Sequence, residues 1–95
     1  NDELPFIFGK PNVDEFLKFK KIFDKSKFEY SQVKNLYFFP SKRWDIEFKN
    51  NKILKLPKKS SDISLDYLFE FLNNKKFSNI KIIDARIKNQ IILNE

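Results

Sequence analysis

A chain of 95 residues is long enough for one domain with its own core. It has no cysteine, no histidine and a single glycine, which excludes disulfides, thiolate or imidazole catalysis, the usual zinc ligands and a glycine-rich phosphate loop. The net charge of +6 invites a nucleic acid or an anionic membrane as partner, but the seventeen lysines are scattered rather than blocked and accompany eleven isoleucines, ten asparagines and twelve phenylalanines, as an A+T-rich codon bias would produce.

Leu4-Pro5-Phe6-Ile7-Phe8 is a short apolar run closed by Gly9 and Pro11 and reads as a short strand. Asn12 then caps a helix, with Glu15 three residues on to accept from the cap's own amide. Phe16, Phe19, Ile22 and Phe23 recur at spacings of three and four, which predicts a helix over Val13 to Lys25 with one face on a core. Val33 to Phe39 is rich in strand formers and ends at Pro40-Ser41. Arg43 to Phe48 alternates, with Trp44, Ile46 and Phe48 directed inward and Arg43, Asp45 and Glu47 on a wet face. Asn50-Asn51 is a tight turn, since asparagine tolerates positive φ, and Lys52 to Leu56 returns as a third strand stopped by Pro57. Ser60-Ser61-Asp62 offers caps for a second helix whose stripe is Leu65, Leu68, Phe69 and Leu72, ending at Asn73-Asn74. Ile80 to Ile87 and Gln90 to Asn94 form a closing hairpin that turns at Lys88-Asn89. The expected fold class is α/β (α+β): one mixed, largely antiparallel sheet with two helices, in the order short strand, helix, three-strand meander, helix, C-terminal hairpin.

The only arginines, Arg43 and Arg86, each stand two residues from an aspartate. A guanidinium is a planar fork that holds a carboxylate bidentately, which an ammonium cannot do. Either arginine can serve an internal ion pair (Arg43 with Asp45 or Asp84, Arg86 with Asp84), an acidic partner, or both. Paired carboxylates at Asp45/Glu47 and Asp14/Glu15 are better explained by a charged strand face and a helix N-terminus than by acid–base catalysis. Tyr37 and Phe39, interleaved with lysines, are surface aromatics that could stack unpaired bases, so a small single-stranded RNA-binding domain is the alternative function. Ile91-Ile92-Leu93 is apolar on both strand faces and comes last, as expected of a sheet edge that accepts a partner strand. No spacing suggests a metal site or a cofactor.

The ordered set Leu4-Pro5…Gly9, Arg43-Trp44-Asp45-Ile46-Glu47-Phe48…Ile53-Leu54-Lys55-Leu56-Pro57 and Ile83-Asp84-Ala85-Arg86-Ile87, followed by an apolar strand, resembles the extracytoplasmic β domain of FtsQ/DivIB cell-division proteins, most closely the alphaproteobacterial kind. The resemblance spans nearly the whole chain. Asn50-Asn51 departs from it where a glycine is usual, and Ala85 where a larger aliphatic residue is usual. It implies a fragment of a bitopic inner-membrane protein with a cytoplasmic tail, a membrane helix and a POTRA domain before this periplasmic domain, an assignment in keeping with a first residue that is Asn and not Met. It also implies a non-catalytic divisome scaffold that holds the FtsB/FtsL pair by strand addition. The docking edge would be Gln90, Ile91, Ile92, Leu93 and Asn94. Arg86 and Arg43 would be the charge anchors, with Ile87 and Asn89 beside them.

Overall fold

In the computed structural model, which describes residues 4–95, two strand–helix–strand units flank a single strand and a short last strand follows. Strand β1 (Phe6–Phe8) leads into α1 (Val13–Asp24), followed by β2 (Val33–Phe38), β3 (Trp44–Phe48) and β4 (Ile53–Lys55). Helix α2 (Leu65–Asn73) precedes β5 (Ile82–Asp84) and β6 (Ile92–Asn94). The expected α+β class holds: one six-stranded mixed sheet in the order β1-β2-β3-β4-β5-β6. β1 runs parallel to β2 and β4 parallel to β5, whereas β2/β3, β3/β4 and β5/β6 are antiparallel.

Those two parallel steps go the same way across the sheet, and β1, β2, β4 and β5 share one direction. Right-handed crossovers therefore place both helices on one face. A single core follows. Phe19 and Phe23 of α1 and Leu65 and Leu68 of α2 are buried with Leu36, Ile46, Leu54 and Ile83, one from each of the four central strands. The register sets these four directly opposite one another, with Ile7 and Leu93 completing the row at the two edges.

Local chemistry explains most element boundaries. Asn12 Oδ1 accepts from Glu15 N–H at 2.8 Å and Glu15 Oε1 accepts from Asn12 N–H at 3.2 Å, a reciprocal cap that fixes the start of α1. The β3–β4 turn is closed by Asn51 N–H to Phe48 C=O at 2.9 Å, with Asn51 at φ 70°, so asparagine fills the place where glycine is usual in the resembled family. Ala85, the other departure, is fully buried. The β2–β3 turn repeats the pattern with Lys42 at φ 68°, although lysine has no local preference for that conformation. Gly9 is required where it stands: at φ 97°, an added Cβ would lie 2.1 Å from the Phe38 carbonyl oxygen.

Several expectations need correction. Helix α2 is capped by Ser64, whose Oγ accepts from Tyr67 N–H at 3.2 Å, while Ser60–Asp62 forms a separate 3-10 turn. A start at Ser64 sets Leu65 and Leu68 three apart on the buried face. The closing hairpin has shorter strands than the pattern implied. Ala85 N–H to Lys55 C=O at 2.8 Å is the last rung of the β4/β5 pairing, and β5 ends there because the next amide, Arg86 N–H, bonds Asp84 Oδ1 at 3.0 Å. Arg86 and Ile87 therefore lie in the loop, as do Gln90 and Ile91. The turn itself is centred on Lys88-Asn89 as expected, closed by Gln90 N–H to Ile87 C=O at 3.1 Å with Asn89 at φ 62°. Arg43 likewise precedes its strand. Among the described residues no helix is long and apolar enough to cross a membrane.

Candidate binding surface

With both helices on one side, the other side of the sheet is open. Its two rows follow from the register. One reads Phe8, Tyr37, Asp45, Lys55, Asp84, Ile92, and the other Phe6, Asn35, Glu47, Ile53, Ile82, Asn94. The first row is aromatic at β1, charged across β3 to β5, and aliphatic at β6. Lys55 stands between two aspartates, and each aspartate has its own arginine.

Asp45 and Glu47 were expected on a wet face, but Asp45 is buried. Arg43 covers it, and Nη1 donates to Asp45 Oδ1 in a close ion pair and to the Leu56 carbonyl at 3.4 Å. The guanidinium also lies over the Phe39 ring, 4.5 Å from its centroid. Only 15 % of the Arg43 side chain is exposed. Burial pushes the Asp45 carboxyl above its ordinary range, and the Arg43 hydrogen bond and the charges of Arg43, Lys55 and Arg86 only partly offset this.

Arg86 is arranged differently. Its Nε donates to Asp84 Oδ1 at 2.9 Å and its Nη2 to Oδ2 at 2.6 Å, a bidentate fork, and 45 % of its side chain is exposed. The Arg86 hydrogen bonds hold the Asp84 carboxyl below its ordinary range against the effect of burial. Nη1 takes no part in the fork and is available to a second carboxylate. Both internal ion pairs thus form. They leave Arg86 facing outward, while Arg43, expected as a second anchor, is spent on bracing the β2–β3 corner.

The remaining anticipated residues lie in the loop after Arg86 and along β6. Ile87 and Asn89 are exposed in the loop, Gln90 and Asn94 are exposed, and Ile91 and Leu93 pack partly against the core. Ile92 lies on the open face, 37 % exposed. β6 is the last strand of the sheet, so its outer edge has no neighbouring strand among the described residues. β1 is the other edge, and its Phe6 is 69 % exposed.

The aromatics of the alternative reading are engaged. Phe8 stacks on Tyr37 at 5.0 Å with an interplanar angle of 11°, Tyr37 Oη donates to Glu47 Oε1 at 2.9 Å, and Phe39 lies under Arg43. Glu47 also accepts from Asn35 Nδ2 at 2.9 Å, which holds its carboxyl below its ordinary range. Among the described residues no three carboxylates are grouped to hold a metal ion. Sequence reasoning missed the place of Lys55 between Asp45 and Asp84, which depends on the β4/β5 parallel pairing. Its place between Leu54 and Leu56 in an alternating strand, which directs it away from the core, is the only signal the sequence carries. No protein-family model matches this chain, and no curated protein is significantly similar to it.

Proposed function

We propose that this chain is a non-catalytic scaffold domain of the bacterial divisome, of the FtsQ/DivIB β-domain kind, and that it binds the FtsB/FtsL pair by accepting an FtsB-like segment as a strand beside β6. The observation that carries this reading is an open strand edge beside an outward, pre-oriented guanidinium: β6 ends the sheet, and Arg86 is held by Asp84 with part of its fork free. The other open edge, β1, consists of Phe6, Ile7 and Phe8 and carries no charged side chain of its own. Main-chain hydrogen bonds along Ile92–Asn94 would provide affinity, Ile92 an apolar contact on the open face, and Arg86 register through an acidic partner residue. Ile87, Asn89, Gln90 and Ile91 would line the approach. In this reading the domain stands on the periplasmic side of the inner membrane, held there by a membrane helix elsewhere in the full-length protein.

The test is co-purification with the C-terminal segment of an FtsB-like protein from the same genome. Arg86→Glu is expected to weaken capture about tenfold or more, and Ile92→Pro to do the same, with thermal melts checking that each variant is folded. Folded variants that both capture the segment as the wild type does would overturn the proposed site.

A further inference from the structure

The helical face has a feature that strand addition does not use. Between α1, the β2–β3 turn and the segment before α2 lies a cleft of about 330 Å³, at the lower end of the sizes that hold a ligand. Phe19, Ile22, Phe38 and Trp44 make an apolar floor. Lys18, Lys42, Lys58 and Lys59 stand around the rim. The one carboxylate there, Glu15, is already engaged, accepting from Asn12 N–H at 3.2 Å and lying 3.5 Å from Lys42 Nζ.

Apart from Glu15, the polar groups of the cleft walls include donors with no protein acceptor among the described residues. Trp44 is only 3 % exposed, and its indole N–H has no hydrogen-bond acceptor among the described residues. Among the described residues no fully enclosed side-chain nitrogen or oxygen lacks a partner, and Trp44 lines this cleft. The Ser60 hydroxyl, also on the wall, has no partner among the described residues. An apolar floor beside donors with no protein acceptor and a four-lysine rim is complementary to carboxylates carried on an apolar body.

The Trp44 ring has no free face. Phe19 stacks on it at 4.6 Å with an interplanar angle of 18°, and Phe38 lies 4.8 Å away. A nucleobase would find no stacking platform, whereas a compact side chain fits edge-on. We propose that this cleft docks an acidic peptide segment carrying one bulky apolar side chain between its carboxylates, as a second protein-binding site independent of β6.

Trp44 is the only tryptophan, so its emission reports the site directly. The probe is an acetylated, amidated Asp-Asp-Phe-Glu-Glu peptide titrated at low salt into the whole chain. A saturable change in Trp44 emission is expected, weakening as salt rises. The same peptide with alanine for phenylalanine should bind about tenfold more weakly or worse, and a Lys58→Glu/Lys59→Glu variant should lose a similar factor. Lys75→Glu/Lys76→Glu, two lysines outside the cleft, should bind as the wild type does. The proposal fails if the peptide leaves the emission unchanged, if the alanine peptide binds equally well, or if the Lys75/Lys76 variant loses as much. Tighter binding of a short oligothymidylate at the same lysines would also overturn it, in favour of nucleic acid.

Discussion

Two arginine–aspartate pairs with the same spacing of two residues do opposite work in this domain. Both aspartates are 8 % exposed, yet the Asp45 carboxyl is pushed up and that of Asp84 is held down. Two causes separate them. The Asp45 carboxyl sits deeper among protein atoms, so burial is the largest influence on it, whereas the Arg86 hydrogen bond is the largest on Asp84. Asp84 also receives Nε, Nη2 and the backbone N–H of Arg86, while Asp45 receives a single Nη1 bond from Arg43. Burial is outweighed in one place and only partly offset in the other. Order in the chain matters as well. Arg43 precedes its aspartate and is folded back over Phe39 into the β2–β3 corner, while Arg86 follows its aspartate and lies in a loop open to solvent. A buried arginine braces, and an outward one can be shared.

The comparison predicts its largest effect at Arg43. Arg43→Ala leaves Asp45 buried without its hydrogen-bonded ion-pair partner, with only the more distant charges of Lys55 and Arg86, and should lower unfolding free energy by about 3 kcal/mol, read as the midpoint of urea denaturation. An unchanged midpoint would mean that the pair is not a brace. Arg43→Lys keeps the charge but loses both the planar contact with Phe39 and the carbonyl bond, and should still cost about 1 to 2 kcal/mol. Full rescue by lysine would reduce the role of Arg43 to charge alone.

A smaller effect is expected in the acid limb of stability, where the two aspartates have opposite signs. Asp84 has a folded-state pKa below its unfolded one, so its contribution is present above the ordinary carboxylate range and is lost as the pH falls through the folded value. Asp45 has a folded-state pKa above its unfolded one, so folding gains as it takes up a proton and loses as the pH rises through that window. Between about pH 5 and 3, Asp84→Asn should therefore flatten the decline in stability and Asp45→Asn should steepen it. Parallel curves for the two variants would contradict the assignment. The smallest effect belongs to Arg86→Ala, which should lower the denaturation midpoint much less than Arg43→Ala does, because Arg86 itself is half exposed although Asp84 is buried. A loss as large as that of Arg43→Ala would place Arg86 among the braces.

What could be read from the sequence was whatever is decided within a few residues. The Asn12/Glu15 cap, the Phe19/Phe23 stripe, the alternation of Trp44, Ile46 and Phe48 and the left-handed Asn51 are all set by local spacing, and all are present. Lys42 at positive φ left no trace, because the hairpin closure imposes it on a residue with no such preference. The second helix was given too early a cap because three good capping residues at Ser60–Asp62 outnumber one at Ser64, and only the demand that Leu65 and Leu68 reach the core decides between them. The candidate surface was half legible. Both ion pairs and the edge position of the last strand follow from short-range pattern, but the burial of Arg43 depends on Phe39 and on Leu56, thirteen residues away. The lysine-rimmed cleft was not legible, since it joins α1, the β2–β3 turn and the segment before α2, which no periodicity connects.

Strand order has a consequence for how the domain forms. Every neighbour in the sheet is also the next strand in the chain, so each pairing closes only the loop or helix between two successive strands, and none waits for a distant segment. Such a topology has low contact order for a sheet of this size and should assemble quickly, as a run of short closures. A strand taken up beside β6 would continue that run from another chain, making recognition the next step of the same zippering.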